Sequence, residues 1–277
     1  MVTAPTAGSE GGRRGGDQPA PGDGCPCLEC CCRVELDSSD GCMCVIERAE
    51  FEVATGEFVA VLGRSGTGKT TLLRVLGGLV EPAPGSRVAF RGRPVDGPPE
   101  GVVFVFQNYA ASLLPWRTIE RNVALGLEGR MPKPEVAERV RWALDMVGLA
   151  ARARDYPWRM SGGMQQRVQL ARALAMRPQG MLMDEPFGSL DAMTRASLQD
   201  ELQRAHRATG ATVVFVTHDI EEAVYLSDRI LVLEGTPATI GHEIAVDLPR
   251  PRHQVATRED PSFLKLRRQV YDLMMDD

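Results

Sequence analysis

Gly63-Arg64-Ser65-Gly66-Thr67-Gly68-Lys69-Thr70-Thr71 is the stretch that decides the fold of this chain. It fits the pattern G-x-x-x-x-G-K-[ST], in which glycines let successive backbone N–H groups turn inward around phosphate oxygens. Lys69 supplies positive charge for the β and γ phosphates, and the Thr70 hydroxyl is a candidate Mg²⁺ ligand. A helix starting there points its positive end at the anion. Gly63, Arg64, Ser65, Gly66, Thr67, Gly68, Lys69, Thr70 and Thr71 are therefore all candidates for nucleotide contact. A chance match to the pattern in a chain of this composition is on the order of one in a hundred. The flanks agree with it: an apolar run from Glu57 to Leu62 reads as a strand and Lys69 to Leu76 as a helix.

Outward from this loop, short strand-like runs alternate with helical stretches, the pattern of a parallel sheet covered by helices. Further strands are expected at Val102 to Phe106, Gly180 to Met183, Val213 to Val216 and Ile230 to Leu233, and helices at Val136 to Val147 and Met164 to Met176. Between residues 108 and 177 the strand pattern disappears, which reads as a helical subdomain inserted into the sheet. Ala238 to Leu248 reads as one or two edge strands and Pro261 to Met275 as a terminal helix, together a small appendage over 238–277. The expected fold is α/β: a phosphate-loop NTPase core of the RecA-like type with a helical insertion.

The 277 residues carry 32 basic and 37 acidic side chains, a net charge of −5. A general nucleic-acid binder is excluded, because tracking a phosphate backbone requires a basic face. The longest apolar runs fall far short of the roughly 20 residues of a bilayer span. The first two dozen residues are rich in glycine and proline without a signal-peptide core, so 1–32 is expected to be a disordered tail and 33–237 the catalytic domain. All seven cysteines fall between Cys25 and Cys44. This is not the spacing of a secreted disulfide scaffold, and it favours a reducing cytosol.

Four other places carry chemistry. Gly180-Met181-Leu182-Met183-Asp184-Glu185 delivers two carboxylates to a strand end, where ligands of open α/β sheets bind. Asp184 suits the Mg²⁺ hydration shell, and Glu185 suits the orientation and deprotonation of an attacking water. Ser161-Gly162-Gly163 opens a helix with a serine cap and two glycines, leaving N–H groups for a further anion. Capping alone does not account for two glycines, each costing about 1 kcal/mol in a helix interior. Gln107 follows one strand and His218 another; each alone is as well explained as a loop residue, and their meaning depends on the rest.

In order and spacing, the loop from Gly63, Gln107, Ser161 to Arg167, Asp184-Glu185, Ser189-Leu190-Asp191 and His218 resemble the motif set of the ATP-binding-cassette ATPases. Leu113-Leu114-Pro115-Trp116-Arg117-Thr118 and Asp247-Leu248-Pro249-Arg250-Pro251-Arg252 look, more narrowly, like the ATPase subunit of nitrate, sulfonate and taurine importers. The resemblance covers about residues 33 to 277. It implies two cassettes closing head to tail on two ATP molecules, with Lys69 and Thr70 of one facing Ser161 and Gly163 of the other. It further implies a membrane-spanning permease docked beside the helical insertion, a substrate-binding protein beyond it, and a place on the cytoplasmic face of the membrane. Glu185, His218 and Gln107 would be catalytic, and Thr70, Gln107 and Asp184 would hold Mg²⁺.

Three departures stand out. Met160 replaces the usual leucine before Ser161, Gly180 opens the strand leading to Asp184, and residues 1 to 50 hold no aromatic residue to stack on adenine. That role would fall near Val34 to Asp37, or to the plane of Arg33. The remaining alternatives are a cassette of another importer or exporter and, for the N-terminal segment alone, a metal-binding module using Cys27, Cys30, Cys42 and Cys44. The roughly hundred residues between the loop and Ser161 leave no room for the coiled coil of chromosome or repair ATPases.

Overall fold

A computed structural model describes residues 26–38, 41–107, 112–188 and 190–275. One sheet of ten strands runs through the described residues. The strands are β1 (Pro26–Ser38), β2 (Gly41–Ala54), β3 (Phe58–Leu62), β4 (Arg87–Phe90), β5 (Arg93–Pro94), β6 (Val102–Val105), β7 (Gly180–Asp184), β8 (Thr212–Thr217), β9 (Arg229–Gly235) and β10 (Ala238–Ala245). The helices are α1 (Lys69–Leu76), α2 (Ile119–Ala124), α3 (Lys133–Met146), α4 (Gly162–Ala175), α5 (Ala192–Thr209), α6 (Ile220–Leu226) and α7 (Pro261–Met275).

The sheet order is β5-β4-β1-β2-β10-β9-β3-β8-β7-β6. From β9 to β6 every pairing is parallel, as expected for the core. The other half is a mixed flank, in which β10 runs antiparallel to β9 and parallel to β2. All five residues of β3 are buried, because both faces are covered. Val59 and Val61 pack with α1 and the β1–β2 hairpin, whereas Phe58, Ala60 and Leu62 pack with α4, α5 and α6. The helices α2, α3 and α4 fall in the expected insertion, and their apolar residues join the second of these layers.

Two expectations and one alternative need correction. The sheet begins at Pro26, so the stretch through Cys32 belongs to the fold and not to a tail; residues 1–25, with Cys25, lie outside the described residues. Cys30, Cys32 and Val34 alternate inward and bury against α1, a period of two in which cysteine acts as a small apolar residue. Among the described residues no three cysteine, histidine or acidic side chains converge to hold a metal ion, against the metal-module alternative. Finally, β10 lies between β9 and β2 and not at an edge. It sits inside the sheet because the hairpin, unread in the sequence, needs it as the bridge to β9.

The C-terminal motif has a structural purpose. Arg252 is buried and donates to the carbonyls of Tyr225 and Ser227 at 3.0 and 2.7 Å, with Val224, Val246 and Leu248 as further acceptors. Burial pulls its pKa down to about 10. It satisfies the last turn of α6, while Arg250 pairs with Asp228 at 2.7 Å.

Candidate active site

Three parallel strands end side by side. β3 runs into the phosphate loop, β7 ends at Asp184 and β8 leads to His218. The loop is tightly held. A Cβ on Gly63 would lie 2.5 Å from the Leu233 carbonyl oxygen, and Gly68, at φ +91°, has room for none against Val45. Thr67 Oγ1 donates to the Arg64 carbonyl at 2.9 Å, and Lys69 Nζ donates to the Gly63 and Arg64 carbonyls at 2.8 and 2.7 Å. Burial lowers the Lys69 pKa, partly offset by Glu185 and Asp184. The lysine is therefore folded back across its own loop, on acceptors that a phosphate anion outcompetes.

Asp184 receives a hydrogen bond from Thr70 Oγ1 at 2.9 Å. Its pKa is raised by burial against the opposing effect of that bond. A buried carboxylate paired with a hydroxyl offers hard oxygen donors, which fits Mg²⁺.

Glu185 sits one peptide further on with φ +41°, in the left-handed region, its N–H bound to the Val216 carbonyl at 3.1 Å. Such a conformation costs of order 1–3 kcal/mol and persists only where the surroundings impose it. Here it turns the side chain away from Asp184's partners and into a separate group. Gln107 Nε2 donates to one oxygen at 3.2 Å and His218 Nδ1 lies 3.2 Å from the other. Gln107, Glu185 and His218, from three strand ends, thus form one constellation; Lys69, Thr70 and Asp184 form the other.

The Ser161 turn stands apart. Ser161 Oγ caps α4, accepting from Met164 N at 3.4 Å, and among the described residues no hydrogen bond joins the turn to the phosphate loop. A Cβ on Gly163 would lie 2.4 Å from Thr194 Cγ2, so packing against α5 accounts for one glycine that the sequence reading attributes to ligand approach. Gly180 is likewise explained: a Cβ there would meet the Phe90 ring at 3.0 Å. Met160 is buried in the main core. Ser65 and Thr71 lie along the loop and the first turn of α1, and Arg64 reaches from the loop to donate to the Met274 carbonyl of α7 at 3.0 Å. Arg33, the alternative base platform, is held by Glu35 at 2.8 Å on the face of β1 opposite Val34. Val45 and Ile46 are the aliphatic side chains that face the loop at Gly68.

Sequence reading missed two polar groups. Arg195 joins the Leu190 carbonyl to Asp219, and Arg172 bonds Asn122 and the Ser112 carbonyl. The partners of each are 24 to 60 residues apart at their widest, so no local pattern announces them. Asp219 alone had a readable signal, a cap followed by two glutamates, and its Oδ1 does accept from Glu221 N and Glu222 N.

Fold and site together define a phosphate-loop ATPase. A family model described as ABC transporter matches residues 46–188. The nitrate import ATP-binding protein NrtC of Synechococcus elongatus is 43% identical over 83% of this chain, although the chain spans only 35% of that protein's length. The bicarbonate transport ATP-binding protein CmpD of the same species is 42% identical, with 83% of each chain covered. Among solved structures, the ATP-binding cassette MJ0796 in a dimeric post-hydrolysis state with ADP and Pi matches with a TM-score of 0.69 and 29% identity, covering 80% of this chain and all of that one. The chain belongs to the ABC transporter family, as an ATP-binding and ATP-hydrolysing subunit.

Proposed function

We propose that this chain powers import of a small oxyanion, with nitrate the best-supported substrate, through a permease on whose cytoplasmic face two copies of it assemble. Relatives named for nitrate and bicarbonate support the class of substrate. Sulfonates and taurine belong to the same proposal on the strength of sequence motifs alone. The reading of the C-terminal motif as a substrate marker is weakened by Arg252, whose bonds are spent on holding α6.

The observation that carries the catalytic reading is that Glu185 has a partner on each oxygen, Gln107 and His218. A carboxylate held at both oxygens keeps one orientation. Glu185 would take a proton from water as that water's oxygen attacks the γ phosphorus and the bond to the β-γ bridging oxygen breaks. Lys69 would leave its carbonyls for the phosphates, and His218 would sense the γ phosphate. Thr70 and Asp184, with Gln107, would hold Mg²⁺, which supplies charge neutralisation for the phosphates when bound. Ser161, Gly162 and Gly163 would meet the nucleotide held by the second copy. The dimeric state of the MJ0796 cassette supports that pairing.

Exposed aromatic side chains support a docking face for the permease. Trp116 is 72% and Trp158 64% exposed, and Tyr156 stacks on Trp158. The bond from Ile119 N to the Asp155 carbonyl draws the two segments together. No helix among the described residues is long and apolar enough to cross a membrane, so the spanning part would be the partner's. Substrate is tested by deleting the gene and measuring growth on nitrate, taurine and other sulfonates as sole nitrogen or sulfur source. Loss on nitrate alone supports the proposal; unaltered growth on all overturns it.

A further inference from the structure

Behind the Glu185 constellation lies a second polar group. Arg195, in the first turn of α5, donates through one guanidinium nitrogen to the Leu190 carbonyl at 3.2 Å and through another to Asp219 Oδ2 at 3.3 Å. Its buried Nε has no hydrogen-bond partner among the described residues and lies 3.8 Å from Glu222 Oε1. The other oxygen of Glu222 accepts from Thr217 Oγ1 at 2.8 Å, and Thr217 Oγ1 accepts from Asp219 N at 3.0 Å. Both neighbours of His218 in the chain are therefore fastened to this group. A polar hollow of about 30 Å³ joins Glu185, Gly188, Arg195, Thr217, His218, Asp219 and Glu222, so the group and the Glu185 carboxylate line one space.

We propose that Arg195 and Glu222 are positioning residues for hydrolysis: they tie the turn bearing His218 to the loop entering α5, and thereby fix His218 against Glu185. This rests on the roles assigned above to Glu185 and His218. Two observations favour it over a purely structural ion pair. A buried carboxylate beside an incompletely satisfied guanidinium is a costly way to fill space, where apolar residues would pack at less cost. The pair also joins two separate segments that flank the reacting carboxylate, and a displacement of about 1 Å in such a support is worth about a hundredfold in rate.

The charge of Glu222 sets the strength of the tie. Burial, reinforced by the charge of Asp219, raises its pKa to about 7, against the bond from Thr217 on β8, Arg195 on α5 and the His218 ring. Ionised, Glu222 draws the Nε of Arg195 toward it; protonated, it leaves Arg195 to the Leu190 carbonyl and Asp219 alone. The tight form belongs above neutrality.

The test uses the full chain assembled with its permease, with kcat and KM for ATP measured from pH 5.5 to 9. Arg195→Ala is expected to lower kcat at least tenfold with KM changed less than threefold, and Arg195→Lys to recover part of the loss. The wild type is expected to show a rise in kcat centred near pH 7. Glu222→Gln keeps the bond from Thr217 but loses that rise, staying at the low-pH level throughout. Should Arg195→Ala fail to fold, the near-isosteric Glu222→Gln decides alone. Wild-type kcat and an unchanged pH profile in Glu222→Gln, or losses confined to KM in Arg195→Ala, would overturn the proposal. Glu185→Gln is run beside them. If it still turns over ATP, the catalytic reading itself fails; if it is inactive while the other variants behave as wild type, only the positioning role fails.

Discussion

The strand-end half of the site and the Ser161 turn are built on opposite principles. At the ends of β3, β6, β7 and β8, the candidate site side chains are bonded to one another: Thr70 to Asp184, Gln107 and His218 to Glu185. The Ser161 turn is satisfied by its own helix and packed against Thr194, without a hydrogen bond to the loop among the described residues. One half is preorganised at a cost in backbone strain and buried charge. The other is closed on itself and, on the proposed reading, would meet a nucleotide brought to it by the second copy. On that reading, a cassette divided in this way would bind ATP alone but hydrolyse it efficiently only as a pair.

The strongest challenge to this contrast is Glu185→Gln, which keeps the shape and removes the basicity. It should lower kcat by about a hundredfold or more while ATP binding survives, and the variant should accumulate as an ATP-bound dimer. Size-exclusion chromatography with and without ATP, alongside steady-state hydrolysis, measures both; near-wild-type turnover would dissolve the preorganised half as described.

A second measure is the cost of buried charge near the strand ends. The Glu222 carboxyl titrates at about 7 in the folded chain against an ordinary 4.5, raised chiefly by burial. The folded chain therefore keeps a proton that the unfolded chain gives up. Its stabilising share is complete below pH 4.5 and is lost as pH rises to about 7, amounting to roughly 3 kcal/mol. Denaturant melts at pH 5 and pH 8 should show a steeper loss for the wild type than for Glu222→Gln; equal slopes would count against a buried, raised carboxyl.

The Ser161 turn is probed by Gly163→Ala, with and without Thr194→Ser. The single change places a methyl where Thr194 Cγ2 already lies 2.4 Å away, so stability should fall. Removing that methyl with Thr194→Ser should restore the melting temperature. If the turn also approaches the second copy's nucleotide, hydrolysis stays reduced about tenfold in the double variant; full recovery would make Gly163 a packing residue only.

The smallest effect concerns the base. With Val45 and Ile46 as aliphatic neighbours of the loop and Arg33 engaged by Glu35, the proposed recognition falls on the triphosphate. GTP should be hydrolysed within about tenfold of ATP, a difference of about 1.4 kcal/mol, and Arg33→Ala should not change the ratio. Competition binding showing strong ATP preference lost in Arg33→Ala would reverse this.

What the sequence disclosed follows the range of each interaction. Gly63 to Thr71 and Asp184-Glu185 are legible because their chemistry is local, and the strands before them are runs buried on both faces. The β1–β2 hairpin escaped because its inward positions are Cys30 and Cys32, residues read for their thiols and not for their small apolar bulk. Gly163 was legible as a constraint but not as to its cause, since Thr194 lies on another helix. Arg195 and Glu222 meet only because α5 and α6 flank β8, and no pattern along the chain encodes that proximity.

The distribution of sulfur on the hairpin gives the protein built-in labelling sites. Cys31 and Cys42 are exposed, whereas Cys27, Cys30 and Cys32 are buried, with Cys30 Sγ 3.5 Å from Cys32 Sγ. The contact with Cys32 and its own burial raise the Cys30 pKa, which keeps it protonated and slow to alkylate. A maleimide dye should therefore separate the described thiols into fast and slow classes. The slow class reports directly on opening of the sheet flank that packs on α1, so the native chain can be followed through nucleotide binding without engineering a reporter into it.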